Sequence, residues 1–226
     1  DERPFFTILS DQLADYGIRV PQDLDQLDQH ACDELRKGYV SLVCSKIQRR
    51  WDAQLVDKNP LNMLWLPLIY RMFPHAKFIL ALRHPCDVLI SNYMQNFRAA
   101  PLAAACASME KLAEAYVTAM RCWLHDVDVF EPDVFVSRYE DLVADPETQT
   151  RRIADFLGLE DATPLLRFDQ RARDKGFIAT PSYAQVTQPV NRKGLGRWRR
   201  YREALAPALP VLEPMLRHWG YPVDLD

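Results

Sequence analysis

Arg83 and Ser91 could converge on one anion, with Lys58 as a second cation and Tyr139 as a ring that could stack on a base. Arg83 follows the apolar run FILAL in KFILALRHPCDVLISNYMQNF and precedes His84-Pro85. At ~100° per residue, Ser91 falls on the helix face of His84, about two turns in. An arginine fork and a hydroxyl so placed can grip one tetrahedral anion. The spacing alone serves equally well for a surface ion-pair arginine and a small packing serine. Lys58, in VDKNPLN, also ends an expected strand and precedes a helix. Two cations at adjacent strand ends suit a ligand with more than one charged group. Tyr139, in VFVSRYEDLVADPE, ends another such run and can stack on a base or sit half-buried in the core. Ser182, Gln185, Asn191 and Arg197 lie in or beside an aperiodic stretch that could close over a phosphorylated nucleotide.

These residues need elements to hold them. The pattern predicts helices over 6–16, 25–51, 60–73, 85–97, 102–127 and 146–158, with Gly158 as a stop, and two more over 195–205 and 206–218. Strands are predicted over 54–58, 77–82 and 134–139. Alternating strands and helices imply an α/β fold with a parallel sheet covered on both faces. In such sheets ligands bind beyond the carboxyl ends of strands, where helix N-termini present free N–H groups. That is where Lys58, Arg83 and Tyr139 fall. Residues 179–191 read as a loop, and no shift of composition marks a second domain, so 1–226 reads as a single domain.

Composition narrows the function classes. The chain has 226 residues and a net charge of −3, which does not mark a nucleic-acid binder. The basic and aromatic residues between Arg192 and Arg202 are a weak nucleic-acid signature and are more simply a solvated face. No run approaches the ~18 apolar residues of a membrane span. Five cysteines without a CxxC pair fit neither a disulfide framework nor a zinc site. With no N-x-S/T sequon, this leans towards a reducing cytoplasm.

Taken together, DKNP, RHPCDVLISNYMQNF, RYEDLVADPE…FLGL and SYAQVTQPVNRKGLGRW resemble the sulfotransferase superfamily, which uses 3′-phosphoadenosine 5′-phosphosulfate (PAPS). The likeness is greatest to protein-tyrosine sulfotransferases and to bacterial sulfotransferases linked to tetratricopeptide repeats. It implies a three-layer, P-loop-like sheet flanked by helices. It gives Arg83 and Ser91 the 3′-phosphate and places Tyr139 near the adenine. Gln185, Asn191 and Arg197 would line the nucleotide. Lys58 would meet the oxygen bridging phosphate and sulfuryl group, and Ser182 would stabilise the transition state. Glu2, in DERPFF, would be the base on the acceptor hydroxyl. The acceptor would be a peptide tyrosine, a sugar or a small molecule, and no metal is called for.

The chain departs from that pattern in three places. The P-x-S-G-T-T-like loop that cradles the 5′-phosphosulfate has no counterpart here. The expectation is that it falls upstream of Asp1, that the first strand and helix are missing with it, and that this chain alone transfers nothing. Gln95 stands where the tyrosine-protein enzymes carry a basic residue, and Val56 where secreted relatives carry a disulfide cysteine. Two rivals share the sheet. A P-loop nucleotide kinase needs GxxxxGK[ST], which is absent. A non-catalytic binding module of the same fold would not need Glu2, Lys58 and Ser182 together.

Overall fold

A computed structural model describes residues 3–47, 54–95, 97, 100–167, 170 and 192–223. The chain is a mostly helical α/β protein with a small parallel sheet. It divides into two compact units, Asp1–Phe78 with Cys122–Asp133, and Ile79–Arg121 with Val134–Asp226.

In the first unit, α1 (Phe5–Asp15) buries Phe6, Leu9 and Leu13, the single stripe that a 3.6-residue period dictates. The chain leaves it through Gly17 at φ +79°, a left-handed position that costs glycine little. Asp28 caps α2 (Gln29–Cys44), its carboxylate accepting the Ala31 N–H at 2.7 Å. Asn59 likewise accepts the Leu61 N–H at 2.9 Å and opens a 3-10 turn over Pro60–Trp65 that runs into α3 (Leu66–Met72). These helices meet on a core of Phe6, Leu9, Leu13, Tyr39, Leu68 and Met72. Tyr39 is its aromatic centre, stacked on Phe6 at 5.0 Å with Phe73 edge-on at 5.4 Å.

The second unit carries the sheet. β1 (Phe78–Leu82) pairs with β2 (Val134–Arg138). Between them run α4 (Pro85–Tyr93), α5 (Ala100–Ala105) and α6 (Met109–Phe130), whose last turns belong to the first unit. After β2 come α7 (Tyr139–Ala144), α8 (Pro146–Leu157) and α9 (Thr163–Leu166). Gly158, at φ +74°, ends α8 as expected. Beyond 3-10 turns over Arg192–Gly194 and Arg197–Tyr201 come α10 (Arg202–Leu205) and α11 (Leu209–His218). Both α11 and the Arg197–Tyr201 turn pack on α4.

Four expected elements differ. Residues 54–58 make no strand. Their burial does alternate, with Leu55 and Asp57 half-buried and their neighbours exposed. A strand also needs a partner for its N–H and C=O groups, and the sheet of the described residues has only β1 and β2. The alanine-rich helix expected over 102–127 is two helices. Ser108 interrupts it, its hydroxyl accepting the Lys111 N–H at 3.2 Å as the cap of α6. The long helix expected over 25–51 is shorter, ending at Cys44 within the described residues. That expected over 85–97 ends at Tyr93.

Candidate functional site

The junction between β1 and α4 organises the second unit's polar residues. Pro85 takes the first position of α4, where its missing N–H costs nothing. His84 caps the helix, Nδ1 accepting the Cys86 N–H at 3.2 Å. Burial pushes the Cys86 thiol up to about 12. Arg83, between strand and helix, is held on three sides. Its NH2 donates to the Gly194 carbonyl oxygen and lies 3.5 Å from the Asp87 carboxylate. Its guanidinium carbon sits 4.9 Å from the centroid of the Tyr139 ring.

Two carboxylates fix this junction. Asp87, on the first turn of α4, accepts the Gly196 N–H and the Trp198 N–H, each at 2.9 Å. Glu140, at the start of α7, accepts the His84 N–H and the Tyr221 hydroxyl, also at 2.9 Å each. The His84 ring stacks on Trp198 at 4.9 Å and tilts against Tyr221 at 4.9 Å. Burial lowers the His84 pKa, opposed by Asp87 and Glu140 and helped by Arg199 and Arg83. Burial also raises the Tyr221 phenol, with Glu140 adding to it.

The expected site residues divide as follows. Arg83 and Tyr139 are brought together. Ser91 is half-buried on α4, eight residues beyond Arg83. At ~1.5 Å per helical residue this separates their backbones by roughly 12 Å. Arg197 is exposed, its guanidinium donating to the Met94 sulfur at 3.0 Å, at the end of α4 that carries Ser91. Lys58 is exposed and belongs to the first unit, where both neighbours are anchored. Asp57 accepts the Tyr39 hydroxyl at 2.9 Å and the Asn62 amide at 3.2 Å. The Asn59 amide donates to the Arg3 carbonyl at 3.2 Å. Glu2, Ser182, Gln185 and Asn191 lie outside the described residues.

The sequence reading missed Asp87, Glu140 and Gly194. Asp87 could have been flagged as a charged residue in an otherwise apolar first turn, PCDVLI. Gly194 and Gly196 could have been flagged as two glycines inside a basic run. A Cβ at Gly194 would lie 3.1 Å from the Tyr139 hydroxyl and 3.2 Å from the Arg83 NH2, so the bare backbone shapes a cradle. The Arg83 Nε is buried with no partner among the described atoms. A guanidinium with one N–H unpaired among the described atoms, set beside an aromatic ring, suits an oxyanion.

The sequence pattern of the sulfotransferase family matches residues 5–163. An uncharacterized protein of Aquifex aeolicus is 30% identical over 85% of this chain and 25% of its own length. The omega-hydroxy-beta-dihydromenaquinone-9 sulfotransferase of Mycobacterium bovis is 29% identical over 71% of this chain and 43% of its own length. Protein-tyrosine sulfotransferase 1 of Danio rerio is 28% identical over 74% of this chain and 48% of its own length. The chain thus spans less than half the length of each of these three relatives.

Proposed function

The chain belongs to the sulfotransferase family, and from that premise we propose that it serves transfer of a sulfuryl group from PAPS to an acceptor hydroxyl. The observation that carries this is Arg83: a guanidinium at a strand end, packed on Tyr139, with a buried Nε that has no partner among the described atoms. Arg83 and Ser91 would hold the 3′-phosphate of PAPS, the feature that separates it from ATP-like nucleotides. Tyr139 would face the adenosine, and Gln185, Asn191 and Arg197 would line it. PAPS supplies an activated sulfuryl group whose departure leaves charge on a phosphate oxygen.

Lys58 would meet that charge. One well-placed donor of this kind is worth about 3 kcal/mol of transition-state stabilisation. Asp57 and Asn59, on either side of Lys58, are tied by side-chain hydrogen bonds, which steadies the segment that carries the lysine. Ser182 would add a hydroxyl donor. Glu2 would take the acceptor proton, a role that contributes roughly 10²–10⁴-fold. Sulfuryl transfer resembles phosphoryl transfer in needing in-line positioning and charge neutralisation more than covalent help. The fold that goes with this reading is the three-layer, P-loop-like sheet. A protein tyrosine is the acceptor favoured by a carboxylate base, and a sugar or small-molecule alcohol would need the same machinery.

The test is a thermal-shift titration of the intact protein with adenosine 3′,5′-bisphosphate (PAP), using 5′-ADP as control. A ligand that binds only the folded state raises stability as RT ln(1 + [L]/Kd). PAP should raise the Tm and 5′-ADP should leave it in place. Equal shifts, or none, would reduce the kinship to one of fold and favour a non-catalytic module.

A further inference from the structure

We propose that Asp87 is a positioning residue that sets the register of Arg83 for its anion, an inference that rests on the sulfotransferase reading. Asp87 is 2% exposed, among the most deeply buried polar residues described. A buried carboxylate is tolerated only when fully engaged, and this one is. Oδ2 accepts the Gly196 N–H and Oδ1 the Trp198 N–H, each at 2.9 Å. Oδ2 also lies 3.5 Å from the Arg83 NH2.

The geometry is a closed ring. Asp87 holds the backbone at Gly196 and Trp198, and two residues before Gly196 the Gly194 carbonyl accepts from Arg83. Arg83 in turn faces Asp87. One edge of the guanidinium is thereby occupied by protein. A guanidinium has five N–H donors in a rigid plane, so fixing one edge decides where the others point. The buried Nε is one of these. Gly196 has φ +61°, and a Cβ there would collide with the Arg199 guanidinium, so the turn that Asp87 grips admits little else.

A purely coulombic role predicts the opposite of a positioning role. Asp87 is an anion beside a cation that must bind an anion. If charge alone mattered, Asp87→Asn would tighten binding of every nucleotide phosphate. If Asp87 positions Arg83, the same change breaks the ring: one N–H of the turn then faces an amide NH2, and the guanidinium loses its fixed edge. Affinity for PAP should fall while that for 5′-ADP stays, because only PAP carries the 3′-phosphate.

The experiment is calorimetric titration of the intact wild type and Asp87→Asn with PAP and with 5′-ADP, well below either Tm. We expect the PAP-over-ADP preference to drop at least tenfold in Asp87→Asn. A mere loss of stability would leave that ratio unchanged. Gly194→Ala is the second variant, should Asp87→Asn not fold. It leaves Asp87 intact but places a methyl against Arg83 and Tyr139, and should cost the same preference. A preference kept or increased in either variant overturns the inference and leaves the functional reading standing. A wild type without preference for PAP removes the functional reading, and this inference with it.

Discussion

Arg83 is a cation whose surroundings are mostly protein, which separates its expected role from that of Lys58. Arg83 is built into the second unit through Gly194, Asp87 and Tyr139, whereas Lys58 is an exposed side chain between two neighbours tied by side-chain hydrogen bonds. Arg83→Ala should therefore weaken PAP binding at least tenfold. Lys58→Ala should leave PAP binding nearly unchanged and, in a protein that also carries the 5′-phosphosulfate loop, lower turnover by roughly 10²-fold. Titration and steady-state kinetics on both variants distinguish the two, and equal PAP affinity of wild type and Arg83→Ala would refute the assignment. His84 makes a separate prediction. Burial depresses its folded pKa below the ordinary 6.5, with Asp87 and Glu140 opposing and Arg199 and Arg83 assisting. As pH falls through 6.5 the unfolded chain takes up the proton first, so stability contributed by neutral His84 is present above 6.5 and lost below it. Denaturant midpoints should fall from pH 7 to pH 5 more steeply in wild type than in His84→Asn. Asparagine keeps an N-cap acceptor without the titrating ring.

At the scale of elements, short-range chemistry placed most boundaries. Pro60, Pro85 and Pro146 each stand in the first turn of a helical segment, and Asn59, Asp145 and Asp28 cap theirs through a side chain. Gly158 tests this directly. It is left-handed at φ +74°, and a Cβ there would meet nothing within 4 Å. Gly158→Ala therefore carries a backbone penalty alone, about 1 kcal/mol, to be read from chemical denaturation. No change would show that α8 ends for another reason. Where the elements differ from the sequence reading, a second pattern intervened. Ser108 offers a cap inside an alanine-rich run. Residues 54–58 alternate like a strand, yet Asp57 is tied to Tyr39 and Asn62 by its side chain.

At the scale of the molecule, each unit has its own apolar interior, and the first is the simpler to test. Leu9 and Met72 are 1% and 0% exposed within one cluster. Leu9→Ala should cost about 2–5 kcal/mol, as a lost contact and a cavity. A value under ~1 kcal/mol would mean that the core around Tyr39 collapses onto the gap. No helix of the described residues is long and apolar enough to cross a membrane. What the sequence by itself determined was local or repeated: the period of α1, the proline and glycine punctuation, the placing of Arg83 between strand and helix, and the family signature. Such features follow from sterics and hydrogen bonding among near neighbours, so they are written where they act. What only the tertiary structure decided was the company of Arg83. Its bond to Gly194 spans 111 residues, and those of Asp87 to Gly196 and Trp198 span 109 and 111. No period or cap encodes those pairings. They arise because a buried carboxylate and a half-buried guanidinium must find partners wherever packing brings backbone N–H and C=O groups within reach.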